Sequence, residues 1–415
     1  MRSMVEGPAT VKPAPVAPAP PPDFVRSPSP CRGGVATAHS MKAFEFTYGP
    51  KLIAGPGSAA ALGHLLPPGR CLFVTDATVR SLGLAEAALA SLPDIVVFDA
   101  VEQDPSLDTL LACVEAGEGC SSVVGFGGGS PMDVAKLAAY LIGSGDALEA
   151  IWGVGKARGT RLPLALVPTT AGTGSEATPI SVITVGGGLK LAVNSAPLTA
   201  DFALLDAELT LELPRHVTAA TGLDAAVHAI EAYTSARLKN PLSDSLAREA
   251  LRLIDANLLR ACEAPGDVDA RSAMLLGAHL AGVAFANAPV AGVHALAYPL
   301  GGHFHVPHGL SNSLMLPHVL GHNMHAAMPL YAELGTLLVP ETAGEGQQAQ
   351  AAAFVGRMVE LSRASGLPQR LAEVGVEAAH LNLLAAEAMK QERLLVNNPC
   401  PIGEADARRL YEAAL

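Results

Sequence analysis

Between residues 41 and 205 short apolar runs alternate with stretches of helical periodicity, and each run ends in polar or glycine-rich residues: "CLFVTD", "IVVFDA", "SVVGFGG" and "LALVPTT". Few folds accept that pattern. Short buried strands punctuated by turn residues and separated by helices predict a parallel sheet with crossover helices. After "LLDAELTLELP" the character changes, and "SDSLAREALRLIDANLLRA" places Leu246, Ala250, Leu253 and Ile254 at helical spacing. The expected architecture is an α/β domain over 41–205 followed by an all-α domain over 206–415, which the chain length of 415 residues accommodates. Residues 1–40, including "VKPAPVAPAPPPDF", lack hydrophobic periodicity and read as a disordered Pro/Ala-rich tail.

Composition narrows the partners. A net charge of -12 repels nucleic-acid backbones and anionic lipid, and no lysine and arginine stripe offsets it. No uninterrupted apolar run reaches the roughly 18 residues of a membrane span, although half the residues are hydrophobic. A small-molecule partner, with no nucleic acid and no membrane, is the expectation. Cys31, Cys71, Cys113, Cys120, Cys262 and Cys400 contain no CxxC pair and read as reduced thiols. The tail lacks an apolar signal core. Arg2, Lys12, Arg26 and Arg32 leave an organellar transit peptide open, while an upstream start codon wrongly assigned to a cytoplasmic protein is the preferred reading.

"SSVVGFGGGSPMDVAKLAAYL" reads as a buried strand, a glycine turn and a helix beginning at Ser130 and Pro131. Ser130 is expected to cap that helix, and Asp133 to meet its orphan N–H groups. Glycines 127 to 129, Gly128 and Gly129 among them, let the backbone approach a diphosphate, to which the helix N-terminus presents donors. A second loop after a strand, "VPTTAGTGSEAT", carries hydroxyls on Thr169, Thr170, Thr173, Ser175 and Thr178 that can bond phosphate, ribose or a nicotinamide amide. Read singly, each loop is an ordinary turn. Together, beyond the carboxyl ends of parallel strands, they point to a dinucleotide. Asp76, at the end of "CLFVTD", either forms a turn or accepts from an adenosine ribose hydroxyl, and its charge favours NAD over NADP.

In the helical half, Asp224 and His228 in "TGLDAAVHAIEAYTS" stand four residues apart, so both face one side of a helix. His294 lies on "APVAGVHALAY", a helix expected to end at Pro299, Gly301 and Gly302, and His308 lies where the chain resumes in "VPHGLSNSLMLPH". One carboxylate and three imidazoles suit Fe²⁺ or Zn²⁺ and leave room for a substrate oxygen. His303 and His305 read as solvent-facing loop residues, and His318, His322 and His325 as structural.

"GFGGGSPMD", "VPTTAGTGSEAT", "GLDAAVHAIEAY" and "HALAYPLGGHFHVPHG", in that order from about Met41 to the C-terminus, resemble the signatures of the iron-containing (group III) alcohol dehydrogenases. The resemblance implies an N-terminal NAD-binding α/β domain and a helical metal-binding domain, in the dehydroquinate synthase-like architecture, with the active site in the cleft between them. It implies Asp224, His228, His294 and His308 as metal ligands, and Gly129, Ser130 and Asp133 as the pyrophosphate turn. Thr169, Thr170, Thr173 and Thr178 match the second cofactor loop, Lys190 a lysine near the ribose, and Asp76 the acidic position of NAD-preferring members. The implied reaction is hydride transfer between an alcohol carbon and nicotinamide, with the oxygen activated by the metal as a Lewis acid. Homo-oligomerisation is implied by the family alone. Many members carry a proton-relaying histidine where this chain has Tyr298, whose phenol has an unperturbed pKa near 10. A maleylacetate reductase and a dehydroquinate synthase-like lyase are the alternatives; the complete ligand set argues against the first, and sparse lysine and arginine near the motifs against the second.

Overall fold

The computed structural model describes residues 43–186 and 189–415; the tail over 1–40, with Cys31 and any targeting function, lies outside the described residues. Among the described residues there are nine strands: β1 (Lys51–Ala54), β2 (Cys71–Val74), β3 (Ile95–Phe98), β4 (Ser122–Gly127), β5 (Gly153–Val154), β6 (Leu164–Pro168), β7 (Ile180–Val185), β8 (Leu189–Asn194) and β9 (Phe202–Leu205). Six pair in parallel in the order β1-β9-β6-β4-β2-β3. Cys71 stands opposite Ser122, and Val123 opposite Leu164. The remaining three form a smaller sheet in which β7 and β8 run antiparallel.

Continuous apolar runs are what a sheet covered on both faces requires, because successive side chains point to opposite sides. Leu72, Val74, Val123 and Leu166 enter one core. Phe73, Val124, Phe126, Ala165 and Val167 enter the other. With β3 on one side of β2 and β4 on its other side, the winding reverses between β2 and β4, and the crevice beyond their carboxyl ends is where open α/β sheets bind ligands.

After β9 the chain is helical. The helix Arg215–Tyr233 is buried on nearly all sides from Gly222 onward, as a central helix with apolar residues around its circumference must be. Around it pack Pro241–Glu263, Val268–Asn287, Gly292–Phe304, His308–Leu338 and Gln347–Ser365. Asn240 and Asp267 cap two of these, accepting from Ser243 N at 2.9 Å and Ala270 N at 3.0 Å. Among the described residues no single helix is long and apolar enough to cross a membrane.

Two expectations about helix ends are corrected. The glycine-turn helix spans Gly129–Ser144 with Gly128 at its N-cap and no side-chain cap, so Ser130 sits inside the first turn. A glycine cap leaves the first N–H groups open to a ligand. The helix of His294 does not stop at Pro299 but runs Gly292–Phe304 and ends where His305 adopts φ 55. Proline removes one N–H without forbidding continuation, and the Tyr411 hydroxyl donates to Leu296 O in that turn at 2.7 Å.

Candidate active site

The two proposed cofactor loops face one another. A Cβ built on Gly129 would come within 3.0 Å of Thr173 Cγ2, and one on Gly128 within 3.9 Å of Thr170. Thr169 N donates to Gly127 O at 2.9 Å, tying the ends of β4 and β6. Gly127 has φ 149, which favours glycine. Asp76 caps the helix after β2, accepting from Val79 N at 2.9 Å through Oδ1. Its Oδ2 lies 3.2 Å from where a Gly127 Cβ would be, so the side chain that forms this turn also stands beside the glycine turn.

Asp133 does not meet the helix N-terminus as expected. Its Oδ1 accepts from Ser175 Oγ at 2.6 Å and its Oδ2 from Val182 N at 2.9 Å. Lys136, fully buried, completes the knot with bonds to Ser175 Oγ (2.7 Å), Thr178 Oγ1 (3.3 Å) and Ile180 O (2.6 Å), and lies 3.4 Å from Asp133. Asp133 and Thr178 therefore lock the two loops together. Burial pulls the Lys136 ammonium below the usual lysine value, opposed by Asp133 and Glu176. Lys190 pairs with Asp104 at 2.6 Å, and both act electrostatically on His308.

Asp224, His228, His294 and His308 converge, with one potential ligand atom from each lying within 4.8 Å of all the others. Asp224 Oδ1 is 3.9, 3.8 and 3.7 Å from Nε2 of His228, His294 and His308. Asp224, His228 and His294 are buried, and His308, first residue of its helix, is partly exposed. The donor set fits a divalent cation. Ligands about 2.1 Å from a tetrahedral ion stand roughly 3.4 Å apart, close to the spacing of this set. Burial drives His228 down to about 3 and also lowers His308, which keeps both imidazoles neutral with a lone pair to donate. Burial opposes ionisation of Asp224, but the facing imidazoles and the Asn312 amide hold it below the usual carboxylate range.

Tyr298 lies beside this set, its ring centroid 5.7 Å from that of His308 and 6.4 Å from that of His294. Burial raises its phenol above the ordinary value; Arg393 opposes the shift, and Asp224, Glu231 and Asp133 add to it. A Cβ on Gly172 would stand 2.6 Å from Thr221 Cβ, so the loop after β6, which faces the glycine turn, lies against the helix that carries Asp224 one turn further on. His303 and His305 are exposed at the end of their helix, outside the cluster. His322 bonds Pro401 O at 3.1 Å.

Sequence reasoning missed two residues. Glu231 Oε2 is 2.6 Å from His294 Nδ1, and its carboxylate also accepts from Ala291 N at 2.9 Å and Val293 N at 2.6 Å. Asn312 Nδ2 is 2.6 Å from Asp224 Oδ1. Helical spacing signals only that each shares a face with a candidate ligand: Glu231 follows His228 by three residues, and Asn312 follows His308 by four.

A nucleotide-type crevice on a parallel sheet, together with a buried carboxylate and three imidazoles, defines the class as an enzyme equipped for a nucleotide and a divalent metal. Residues 49–207 match the model of iron-containing alcohol dehydrogenases, and 218–415 that of the C-terminal part of the Fe-containing alcohol dehydrogenase family. Long-chain-alcohol dehydrogenase 1 of Geobacillus thermodenitrificans is 39% identical over 357 residues, covering 83% of this chain and 89% of the relative. NAD-dependent methanol dehydrogenase of Bacillus methanolicus is 32% identical over 376 residues, covering 88% and 98%. The crystal structure of a 1,3-propanediol oxidoreductase superposes with TM-score 0.87 at 31% identity, over 90% of this chain and 100% of that one. Sulfoacetaldehyde reductase from Bifidobacterium kashiwanohense in complex with NAD+ superposes with TM-score 0.80 at 27% identity, over 90% and 99%. The chain belongs to the iron-containing alcohol dehydrogenase family and is an alcohol dehydrogenase oxidoreductase.

Proposed function

We propose that the chain interconverts a small alcohol and its aldehyde or ketone with NAD, using Fe²⁺ or Zn²⁺ held by Asp224, His228, His294 and His308. The convergence of those four side chains, on helices against which the loop facing the glycine turn is packed, carries this reading. Bound there, the cation supplies Lewis acidity to the alcohol or carbonyl oxygen while the nicotinamide accepts or returns hydride. Residues 41–205 form the NAD-binding part and 206–415 the metal-binding part. Gly128, Gly129 and Ser130 present backbone donors to the pyrophosphate. Thr169, Thr170 and Thr173 line the facing loop, Asp133 and Thr178 hold the loops in register, and Asp76 and Lys190 serve the ribose. Tyr298, kept neutral by its raised pKa, offers a hydroxyl that donates or accepts a hydrogen bond at the reacting oxygen.

The thiols of Cys71, Cys113, Cys120, Cys262 and Cys400 are free, which suits a reducing cytoplasmic compartment. A homo-oligomer accords with exposed Phe44, Tyr48 and Leu52 at and near the outer strand β1. The deciding experiment is NADH formation from a panel of simple alcohols with and without added Fe²⁺ or Zn²⁺, repeated on His294→Ala. Loss of metal and turnover with NADH binding nearly intact supports the assignment. Full activity of the variant sinks it, and metal-independent reduction of maleylacetate alone would move the reading to that alternative.

A further inference from the structure

Asn312 is fully buried one turn beyond His308 on the same helix. Its Nδ2 lies 2.6 Å from Asp224 Oδ1, 3.2 Å from His294 Nε2 and 3.3 Å from His308 Nε2, so three of the four proposed ligand atoms share this one neighbour. Its Oδ1 has no hydrogen-bond partner. The buried pair Asn323 and Asn398 spend both ends of their amides on each other, bonding reciprocally at 3.0 and 2.7 Å. Asn312 instead directs its donor end at the ligand atoms and leaves its acceptor end unused. Two pairs at four-residue spacing thus meet across the helix interface, Asp224 with His228 and His308 with Asn312, and His294 joins them from a third helix.

We propose that Asn312 is a positioning residue of the metal centre. By donating to Asp224 Oδ1 it fixes how the carboxylate faces the three imidazoles, and it binds the helix His308–Leu338 to the helix Arg215–Tyr233 at the point where their ligands must align. Outer partners of this kind set how tightly an ion is held, because they hold ligand lone pairs in the geometry the ion needs. The inference rests on the reading of Asp224, His228, His294 and His308 as metal ligands.

The test uses the full chain as wild type, Asn312→Leu, which nearly conserves volume, and Asn312→Ala in case the larger side chain disturbs folding. Zn²⁺ and Co²⁺ dissociation constants are measured by chelator competition, the Co²⁺ d–d absorption spectrum reports the ligand field, and NADH fluorescence titration reports the other half of the cleft. The expected result is about 10- to 100-fold weaker metal binding with displaced d–d bands and unchanged NADH affinity. Wild-type affinity and spectrum in both variants overturn the inference, as does an equal loss of metal and NADH binding, which signals general damage. A wild-type protein that binds neither ion overturns the metal-centre reading itself, a result distinct from tight wild-type binding that the substitutions leave unmoved.

Discussion

Glu231 satisfies three donors with one carboxylate, and the order of those bonds explains why His294 can serve as a ligand. The N–H groups of Ala291 and Val293 anchor the carboxylate at the start of the helix Gly292–Phe304, and the bond to His294 Nδ1 then settles the ring with Nε2 directed at Asp224. Glu231→Gln should loosen metal binding by about 10- to 100-fold, read by chelator competition; unchanged affinity would show that His294 needs no such partner. For Tyr298, whose phenol is pushed above its ordinary range, replacement by phenylalanine keeps the ring beside His308 and removes only the hydroxyl. Turnover should fall by about 10²-fold, the lower end for a proton-transferring group, at constant metal content. Equal turnover assigns the ring to packing alone. Spacing made Asp224 and His228 legible as a pair because both lie on one helical face. It could not show that Glu231, on the same helix, faces a histidine 63 residues further on, since periodicity reports neighbours along an element and not the element opposite.

At the scale of elements, the close approach of helices builds the centre. A Cβ on Gly309 would stand 2.4 Å from Ala220 O and 3.4 Å from Asp224 Cβ, so only glycine lets the first turn of His308–Leu338 come down onto Arg215–Tyr233. Gly309→Ala should cost about 1–3 kcal/mol through overpacking and lower metal retention at temperatures where the fold persists. Denaturant unfolding paired with metal analysis checks both, and a wild-type metal content after a measurable stability loss would separate the packing from the site. Lys136 does the corresponding work in the sheet half, where its ammonium ties β7 to the glycine-turn helix and to the loop after β6. Lys136→Met should destabilise the protein by about 1–3 kcal/mol, because it leaves the buried acceptors Ser175 Oγ, Thr178 Oγ1 and Ile180 O without their donor, and should weaken NADH binding; native affinity would mean that the loops keep their register unaided. The strands and the glycine turn were legible because buried parallel strands are continuous apolar runs. The true helix start at Gly129 and the passage through Pro299 were not, because a residue's capping or breaking tendency yields to the bonds its neighbours supply.

Across the whole molecule, the sheet half and the helical half meet through a buried contact. A Cβ on Gly174, which has φ 59, would fall 2.7 Å from Gly282 Cα, so the loop after β6 lies directly on the helix Val268–Asn287. Beside that contact Glu176 from the loop and His279 from the helix are 2% and 3% exposed, with Oε1 and Nδ1 3.1 Å apart. The sequence showed two halves of different periodicity but could not show this joint, whose partners stand 103 residues apart, Glu176 inside the second cofactor loop and His279 on a helix with nothing in its spacing to pair them. If the pair couples the halves, its loss costs more than either side chain's own packing. His279→Leu leaves the Glu176 carboxylate without its histidine, and about 1–3 kcal/mol should be lost in denaturant unfolding. Glu176→Gln should lose a comparable amount, and the double variant less than the sum, with a coupling of about 0.5–3 kcal/mol. NADH and metal affinities should fall together in the single variants, since each site borrows its position from the other half. Additive stability losses with independent affinities would mean that Glu176 and His279 stabilise their own halves and that the cleft is held elsewhere.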